Sequence, residues 1–403
     1  MNTPDIRFKG YTEAWEPKMV GDLLVERNEQ APQSDEYPLM AFIANEGVAP
    51  KGARYDRSAL VSDSVGKLYK KTEFGDFIYS SNNLETGSIG LNRFGNACIS
   101  PVYSIFKPTE LADFDFVGRR FVKKDFIREM IKWRQGVIYG QWRIHETDFV
   151  KIKVTVPSVN EQREIGILLN QLDGQITLHQ RKLDTLKNYK KAMLVKMFPK
   201  EGQKVPKIRF KGFSGDWIQR KLSDVVRVYD GVHQTPKYQD DGIMFLSVEN
   251  IATLTSEKYI SEEAYNRDYK VHPEKGDILM TRIGDIGTPN VVETTDKLAY
   301  YVSLALLKPK GIDSYFLNNA IQSSEFQHGL MERSLLTAIP MKINKDEIGK
   351  VDIVFPKNKE EQRLIGSYLN KIDKLITLHQ RKLDKLKNLK QAMLNKMFVK
   401  GGN

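Results

Sequence analysis

Residues 161–200 return 200 positions later as residues 361–400, and in an ungapped alignment 28 of the 40 positions are identical. A fainter echo precedes each copy: Ile6-Arg7-Phe8-Lys9-Gly10 with Trp15 returns as Ile208-Arg209-Phe210-Lys211-Gly212 with Trp217. Self-similarity at so long a fixed interval means two structural units in tandem. Each runs as opening motif, unlike middle and near-identical closing segment. A fold for this chain must let the middles differ while the frame stays constant.

The closing segment carries its own pattern. Leu169, Leu172, Ile176, His179, Leu183, Leu186, Lys190, Met193 and Met197 follow strict three-four spacing. The second copy repeats it with Leu369, Ile372, Ile376, His379, Leu383, Leu386, Lys390, Met393 and Met397. This is a heptad seam on a helix. Each segment opens after a proline (Pro157, Pro356) and approaches Pro199 or Gly401 at its end. An uninterrupted helix of about 38 residues, roughly 57 Å long, follows. Two such seams in one chain meet at high effective concentration, so the copies are expected to pair with each other, antiparallel and about a pseudo-two-fold axis. His179 and His379 are expected as hydrogen-bonded, register-setting seam residues. Lys190 and Lys390 are expected to snorkel out of the seam.

Charge is concentrated in the same place. Residues 176–200 carry seven Lys or Arg against Asp184 alone, and residues 376–400 carry seven against Asp384 alone, so the net +11 of the 403-residue chain lies in these two stretches. They suit a polyanion or an acidic protein surface, and equally a solvated, Lys-rich helix face. The only cysteine, Cys98, excludes an internal disulfide framework and a cysteine-based zinc cluster, and fits a reducing cytoplasm. The start MNTPDIRFKG has no apolar core region, and no run of about 18 apolar residues occurs. Neither a secretion signal nor a membrane span is expected.

The middles, 16–155 and 218–355, share little identity but a common rhythm. Short alternating apolar runs such as Phe74–Tyr79 and Lys275–Met280 are broken by Gly, Asn, Ser and Pro, with helical stretches at 124–134 and 314–328. Each reads as an α+β domain with short strands and long loops. Polar loops stand out in both. In the second half they are Asp230–Lys237, Thr281–Gly287 and Met331–Thr337; in the first, Ser80–Asn83, Asn92-Arg93, Lys132–Gln135 and Gln141–Arg143. Arg, Asn, Gln, Ser and His can read base edges in a groove, although such loops are also ordinary turns. Trp133, Trp142, Tyr238 and Tyr300 read as core or wall rather than as stacking platforms. No phosphate-binding GxxxxGK[ST] or GxGxxG occurs, and His145-Glu146 lacks metal-ligand spacing.

These features resemble the DNA-specificity subunit of type I restriction-modification systems, and the resemblance covers the whole chain. Its carriers are a proline followed shortly by Glu-Gln-Arg (Pro157 to Arg163; Pro356 to Arg363 with one extra residue), Leu-Asn-x-x-Asp at Leu169 to Asp173 and Leu369 to Asp373, and Lys-Met-Phe at 196–198 and 396–398. Gly276 to Arg282, Ser303 to Pro309 and Leu335 to Pro340 are similar to that family's target-recognition domains. Gly75 to Ser81 is a looser variant without the arginine.

The resemblance implies target-recognition domains at 1–156 and 201–355, and spacer helices at 157–200 and 356–403. The domains would each read one half of a split, asymmetric sequence on double-stranded DNA. The helices would dock two adenine-methylating modification subunits, joined by two restriction subunits. No catalytic residue, metal or cofactor is implied here; S-adenosyl-methionine, ATP and Mg belong on the partners. Candidate DNA contacts are Ser81, Asn82, Asn83, Arg93, Arg134, Gln141 and Arg143 in the first half, and His233, Gln234, Thr235, Lys237, Arg282 and Arg333 in the second. Candidate docking residues are Gln162, Arg163, Arg181, Lys182, Gln362, Arg363, Arg381 and Lys382. Two readers related by a pseudo-dyad on one face of B-DNA would sit about 10 base pairs apart. Residues inserted at Leu169 are then expected to widen the gap. A stand-alone DNA-modifying enzyme and a coiled-coil scaffold without nucleic-acid function are the alternatives.

Overall fold

A computed structural model describes residues 3–50, 67–137 and 141–399. The chain divides into two compact units, residues 1–178 with 382–403, and residues 179–381.

In the first unit, strands Leu24–Glu26, Ser104–Pro108, Phe77–Tyr79 and Ile89–Leu91 form an antiparallel sheet in that order. Helices Phe114–Phe121 and Lys124–Ile131 follow the last strand. A ribbon of Glu16–Met19 against Lys153–Val156 brackets the middle. The second unit repeats the plan. Strands Val226–Asp230, Leu304–Pro309, Ile278–Ile283 and Asp285–Val291 lie in the same order, helices Ser314–Ile321 and Ser324–Glu332 follow, and Ile218–Lys221 pairs with Asp352–Phe355. The shared rhythm is thus a shared topology, 200 residues apart. The middles differ in a satellite sheet, antiparallel in the first unit (Gln30–Ala31, Tyr69–Thr72, Ala97–Ile99) but with a parallel pair in the second (Ile243–Leu246 beside Leu298–Tyr300).

Local chemistry sets the element boundaries. Asp113 and Asp313 cap their helices by accepting from the backbone N–H of Phe116 and Phe316, at 2.9 and 2.8 Å. The single helical stretch expected at 314–328 is two helices, because Ser323 caps the second by accepting from Phe326 N. Likewise the stretch expected to reach 134 ends at Ile131. Thr281–Gly287, expected as a loop, is two strands joined by a tight turn at Gly284, whose φ is +81°.

The repeated motifs close each unit. Arg7 grips the Glu161 carboxylate through Nε and Nη2 at 2.8 and 2.7 Å, and Arg209 grips Glu361 at 2.6 and 2.8 Å. Such bidentate arginine–carboxylate pairs are the strong, geometrically specific kind. Ile6 N donates to Lys396 O at 3.0 Å, and Ile208 N to Lys196 O at 2.8 Å. Buried Trp15 packs edge-on against Phe116 and Phe398, and Trp217 likewise against Phe198 and Phe316. Gly166 and Gly366 permit a close approach: a Cβ at Gly166 would lie 2.7 Å from Asp113 Oδ1, and one at Gly366 would lie 2.4 Å from Phe316 N.

The long helices span Val159–Met197 and Lys359–Lys396. In the first unit, Leu169 and Leu172 share a core with Leu386, Met393 and Met397. In the second, Leu186, Met193 and Met197 share one with Leu369, Ile372 and Ile376. Early residues of one helix meet late residues of the other, so the pairing is antiparallel. Asp173 binds Lys390 at 2.5 Å in the first unit and, with the helices' roles exchanged, Lys190 binds Asp373 at 2.6 Å in the second. His179 Nδ1 meets His379 Nδ1 at 2.8 Å, so one imidazole donates to the other. The snorkelling expected of Lys190 does not occur, whereas Lys390 keeps 30% of its side chain exposed while it binds Asp173. Lys190 is buried and also donates to Gln322 Oε1 at 2.7 Å, because an acid on the facing helix satisfies it in place. No helix among the described residues is long and apolar enough to cross a membrane.

Candidate nucleic-acid interface

In both units the segment after the second short helix is strapped onto the end of the same strand. In the first, Trp142 N donates to Asn82 Oδ1 at 2.6 Å and Ile144 N to Ser81 Oγ at 3.0 Å, pinning residues 141–144 beside the turn after Phe77–Tyr79. In the second, Gly284 N donates to Met341 O at 2.8 Å and Ile343 N to Arg282 O at 3.0 Å, pinning residues 333–343 beside the turn after Ile278–Ile283. Segments held at corresponding strand ends, by side-chain acceptors in one unit and by backbone carbonyls in the other, therefore present unlike side chains.

The first strap gathers most of the expected residues. Ser81, Asn82, Asn83, Gln141 and Arg143 come together, with Asn83, Gln141 and Arg143 exposed. Ser81 and Asn82 spend their side-chain acceptors on the strap, so they position it. Glu146 accepts from Ser104 Oγ and Arg143; burial pushes its carboxyl up, but these two bonds outweigh it and hold the group below the usual range. Arg134 is largely covered and paired with Glu85 at 3.0 Å, beneath the surface expected to read bases.

Arg93 does not join this cluster. The Phe77–Tyr79 and Ile89–Leu91 pairing puts it at the opposite end of the hairpin from Ser81. There it binds Asp115, which also receives the Asn170 amide of the first long helix. The structure thus places Arg93, 44% exposed in its side chain, at a tie between sheet and helix and apart from the other candidates.

In the second unit His233, Gln234, Thr235 and Lys237 lie exposed on one loop. The loop's base is rigid: Tyr300 Oη donates to Asp230 O at 3.0 Å, and Gly231 sits so close to Tyr301 that a Cβ there would come within 2.5 Å of its backbone. Arg282, expected to read bases, is only 5% exposed. Its guanidinium binds the Asp230 carboxylate and donates from Nε to Ile343 O at 3.0 Å. An arginine so satisfied has no donor fork to offer DNA. It joins the root of the 230–237 loop to the root of the strap and is a positioning residue. Arg333 is half-buried at the strap's start, 3.5 Å from Glu347.

Among the aromatics expected in the core, Trp133 packs against it and Tyr300 is buried, but Trp142 and Tyr238 are 49% and 41% exposed. Leu336 and Ile339 on the second strap, inside segments the sequence singled out but not among its candidate contacts, are 61% and 100% exposed. Their apolar character reads as core in any pattern.

The docking candidates separate. Arg163, Arg181, Lys182, Arg363, Arg381 and Lys382 are exposed. Gln162 and Gln362 are each 1% exposed and cannot dock anything. Gln162 accepts from Asp113 N at 3.0 Å and donates to Pro157 O and Leu111 O, and Gln362 accepts from Asp313 N at 3.0 Å and donates to Pro356 O. The Glu-Gln of the repeated motif thus serves folding, through Arg7 or Arg209 and through the capped helix. Among the described residues no group of three or more His, Cys, Asp or Glu side chains is placed to hold a metal.

Comparison with known proteins agrees with this geometry. The sequence profile of the type I restriction modification DNA specificity domain matches residues 13–188 and again 214–388. The type I restriction enzyme MjaVIII specificity subunit of Methanocaldococcus jannaschii is 23% identical over 388 residues, covering 91% of this chain and 88% of that protein. The crystal structure of the type-I restriction-modification system S subunit from M. genitalium superposes with a TM-score of 0.66 at 13% identity, over 99% of this chain and 100% of that one. With two copies of the domain filling most of its length, the chain belongs to the type I restriction-modification DNA specificity family and is a specificity subunit, the DNA-recognising and non-catalytic part of such a system.

Proposed function

We propose that the two units read the two halves of an asymmetric, bipartite target on double-stranded DNA. The target-recognition domains are residues 1–156 and 201–355, and the spacers are 157–200 and 356–403. The observation that carries this reading is the pair of straps, segments held at corresponding strand ends with unlike side chains. A repeated frame with unlike readers suits a target whose halves differ. Asn83, Gln141 and Arg143 read the first half. His233, Gln234, Thr235 and Lys237 read the second, with Arg333 beside them, while Ser81, Asn82, Arg134 and Arg282 hold the readers in place. Base-edge hydrogen bonds give the sequence preference, and cations on phosphate give salt-dependent affinity.

The exposed cations Arg163, Arg181, Lys182, Arg363, Arg381 and Lys382 dock two adenine-methylating subunits, and two restriction subunits complete the assembly in the cytoplasm. S-adenosyl-methionine, ATP and Mg are held by those partners. Near-identical helices suit identical partners. The test replaces His233, Gln234 and Thr235 with Ala and maps methylated adenines in cells that also carry the methylating partner. The second half of the motif relaxes, by about 1–3 kcal/mol for each lost bidentate contact, and the first half stays intact. An unchanged motif, or relaxation in both halves, overturns the assignment.

A further inference from the structure

We infer that the two straps carry apolar wedges that enter the base stack of the DNA, Ile339 with Leu336 in one half-site and Trp142 in the other. The inference rests on the DNA-reading role proposed above and adds a mode of recognition to it. Exposure is the first observation: Ile339 is 100%, Leu336 61% and Trp142 49% exposed, with Leu335 at 45% beside them, whereas Ile144 and Ile343 at the ends of the straps are completely buried. Rigidity is the second. Leu335 N donates to Lys342 O at 2.7 Å and Gly284 N to Met341 O at 2.8 Å, so the Leu336–Pro340 tip stands on a pinned neck. Trp142 is pinned by its own backbone N–H on Asn82. A fixed neck lets an apolar tip enter a stack without losing loop entropy at that moment.

Charge selects the occupant. In sequence, neither 134–144 nor 333–343 contains Asp or Glu, while the first has Arg134 and Arg143 and the second has Arg333 and Lys342. Arg134, Arg143 and Arg333 are each paired with an acid from outside the strap, Glu85, Glu146 and Glu347. The exposed cations beside the apolar tips are therefore Arg143 next to Trp142 and Lys342 near Ile339, and an apolar tip so flanked suits a wedge that partly unstacks a base step. The recurrence in two units whose strap sequences differ is independent support. Ile, Leu and Trp at these positions make the energy of unstacking part of the readout, so flexible pyrimidine–purine steps are favoured where no hydrogen bond is made.

The test uses the full chain in complex with its methylating partner and a duplex bearing the mapped target. 2-Aminopurine replaces each base in turn, excluding the adenine that is methylated. Fluorescence is expected to rise several-fold at one step in each half-site. Ile339→Gln abolishes the rise in one half-site, Trp142→Ala abolishes it in the other, and each weakens binding by roughly tenfold. Both side chains are on the surface, so unchanged melting temperatures accompany these losses. A complex that binds its target without any rise, or a rise that survives both substitutions, overturns the wedge and leaves the reading role standing. Loss of the methylating partner from Ile339→Gln reassigns the tip to protein docking. A complex with no preference for the mapped duplex sinks both.

Discussion

Replacing Arg282 separates a base reader from a positioning residue. Arg282→Met keeps the stem's volume and removes the guanidinium. Asp230 then loses its ion pair and Ile343 O loses the Nε donor. Breaking a buried pair from one side costs about 3–5 kcal/mol. The Asp230 side chain is 24% exposed, so water recovers part of this and the low end, about 3 kcal/mol, applies. An unpaired carbonyl adds about 1 kcal/mol. The sum, about 4 kcal/mol, should lower the melting temperature of the 179–381 unit by roughly 10 °C, since each kcal/mol moves a unit of this size by about 2–4 °C. Calorimetry of the full chain measures the shift, and Arg282→Met with Asp230→Asn should recover part of it as coupling between the partners. In methylation maps the second half-site should blur at several positions, because both loop roots loosen. A stability loss below about 1 kcal/mol with discrimination lost at a single base would refute the argument and return Arg282 to the groove.

Three further outcomes follow from the geometry. Gln162→Leu should cost about 2 kcal/mol in urea unfolding by orphaning Asp113 N and two carbonyls, with partner binding by the folded fraction unchanged; the reverse result would restore it to the docking face. Burial raises the Asp173 carboxyl, but hydrogen bonds from Lys390 and Arg119 outweigh it and hold its pKa below the ordinary 3.8. A depressed carboxylate stabilises above its unfolded value and loses that contribution as pH falls through its folded one. Unfolding midpoints should therefore drop below about pH 4, less so in Lys390→Met, and a midpoint that rises with acid there would contradict the pairing. Gly366→Ala should be strongly destabilising, by more than the roughly 1 kcal/mol that Ala adds to helix propensity, because its Cβ would lie 2.4 Å from Phe316 N; a neutral thermal scan would show that the helix shifts freely.

The frame was legible because periodicity is local. Heptad spacing places Leu169, Leu183 and Met197 on one face without knowledge of any partner, and those residues are buried. Roles that depend on distant partners were not. Arg7 is defined by Glu161, 154 residues away, and Arg282 by Asp230 and Ile343, so both look like free cations in sequence. Lys190 looked like a snorkelling residue because Asp373 lies on the other helix. The common topology of the middles was equally hidden, since strand order is kept by which residues are buried and not by which residues they are. Exposed Ile339 and Trp142 defeat the pattern from the other side, because an apolar residue is read as core unless its surroundings are known.

The central claim is that this chain supplies the sequence preference, one half-site per unit. Its most direct test is a single-molecule map of methylated adenines in cells carrying the methylating partner, with and without this chain. The account predicts one asymmetric motif in two parts, about 10 base pairs between centres, that disappears when the chain is omitted. Methylation unchanged by omission, or a continuous undivided motif, would contradict it.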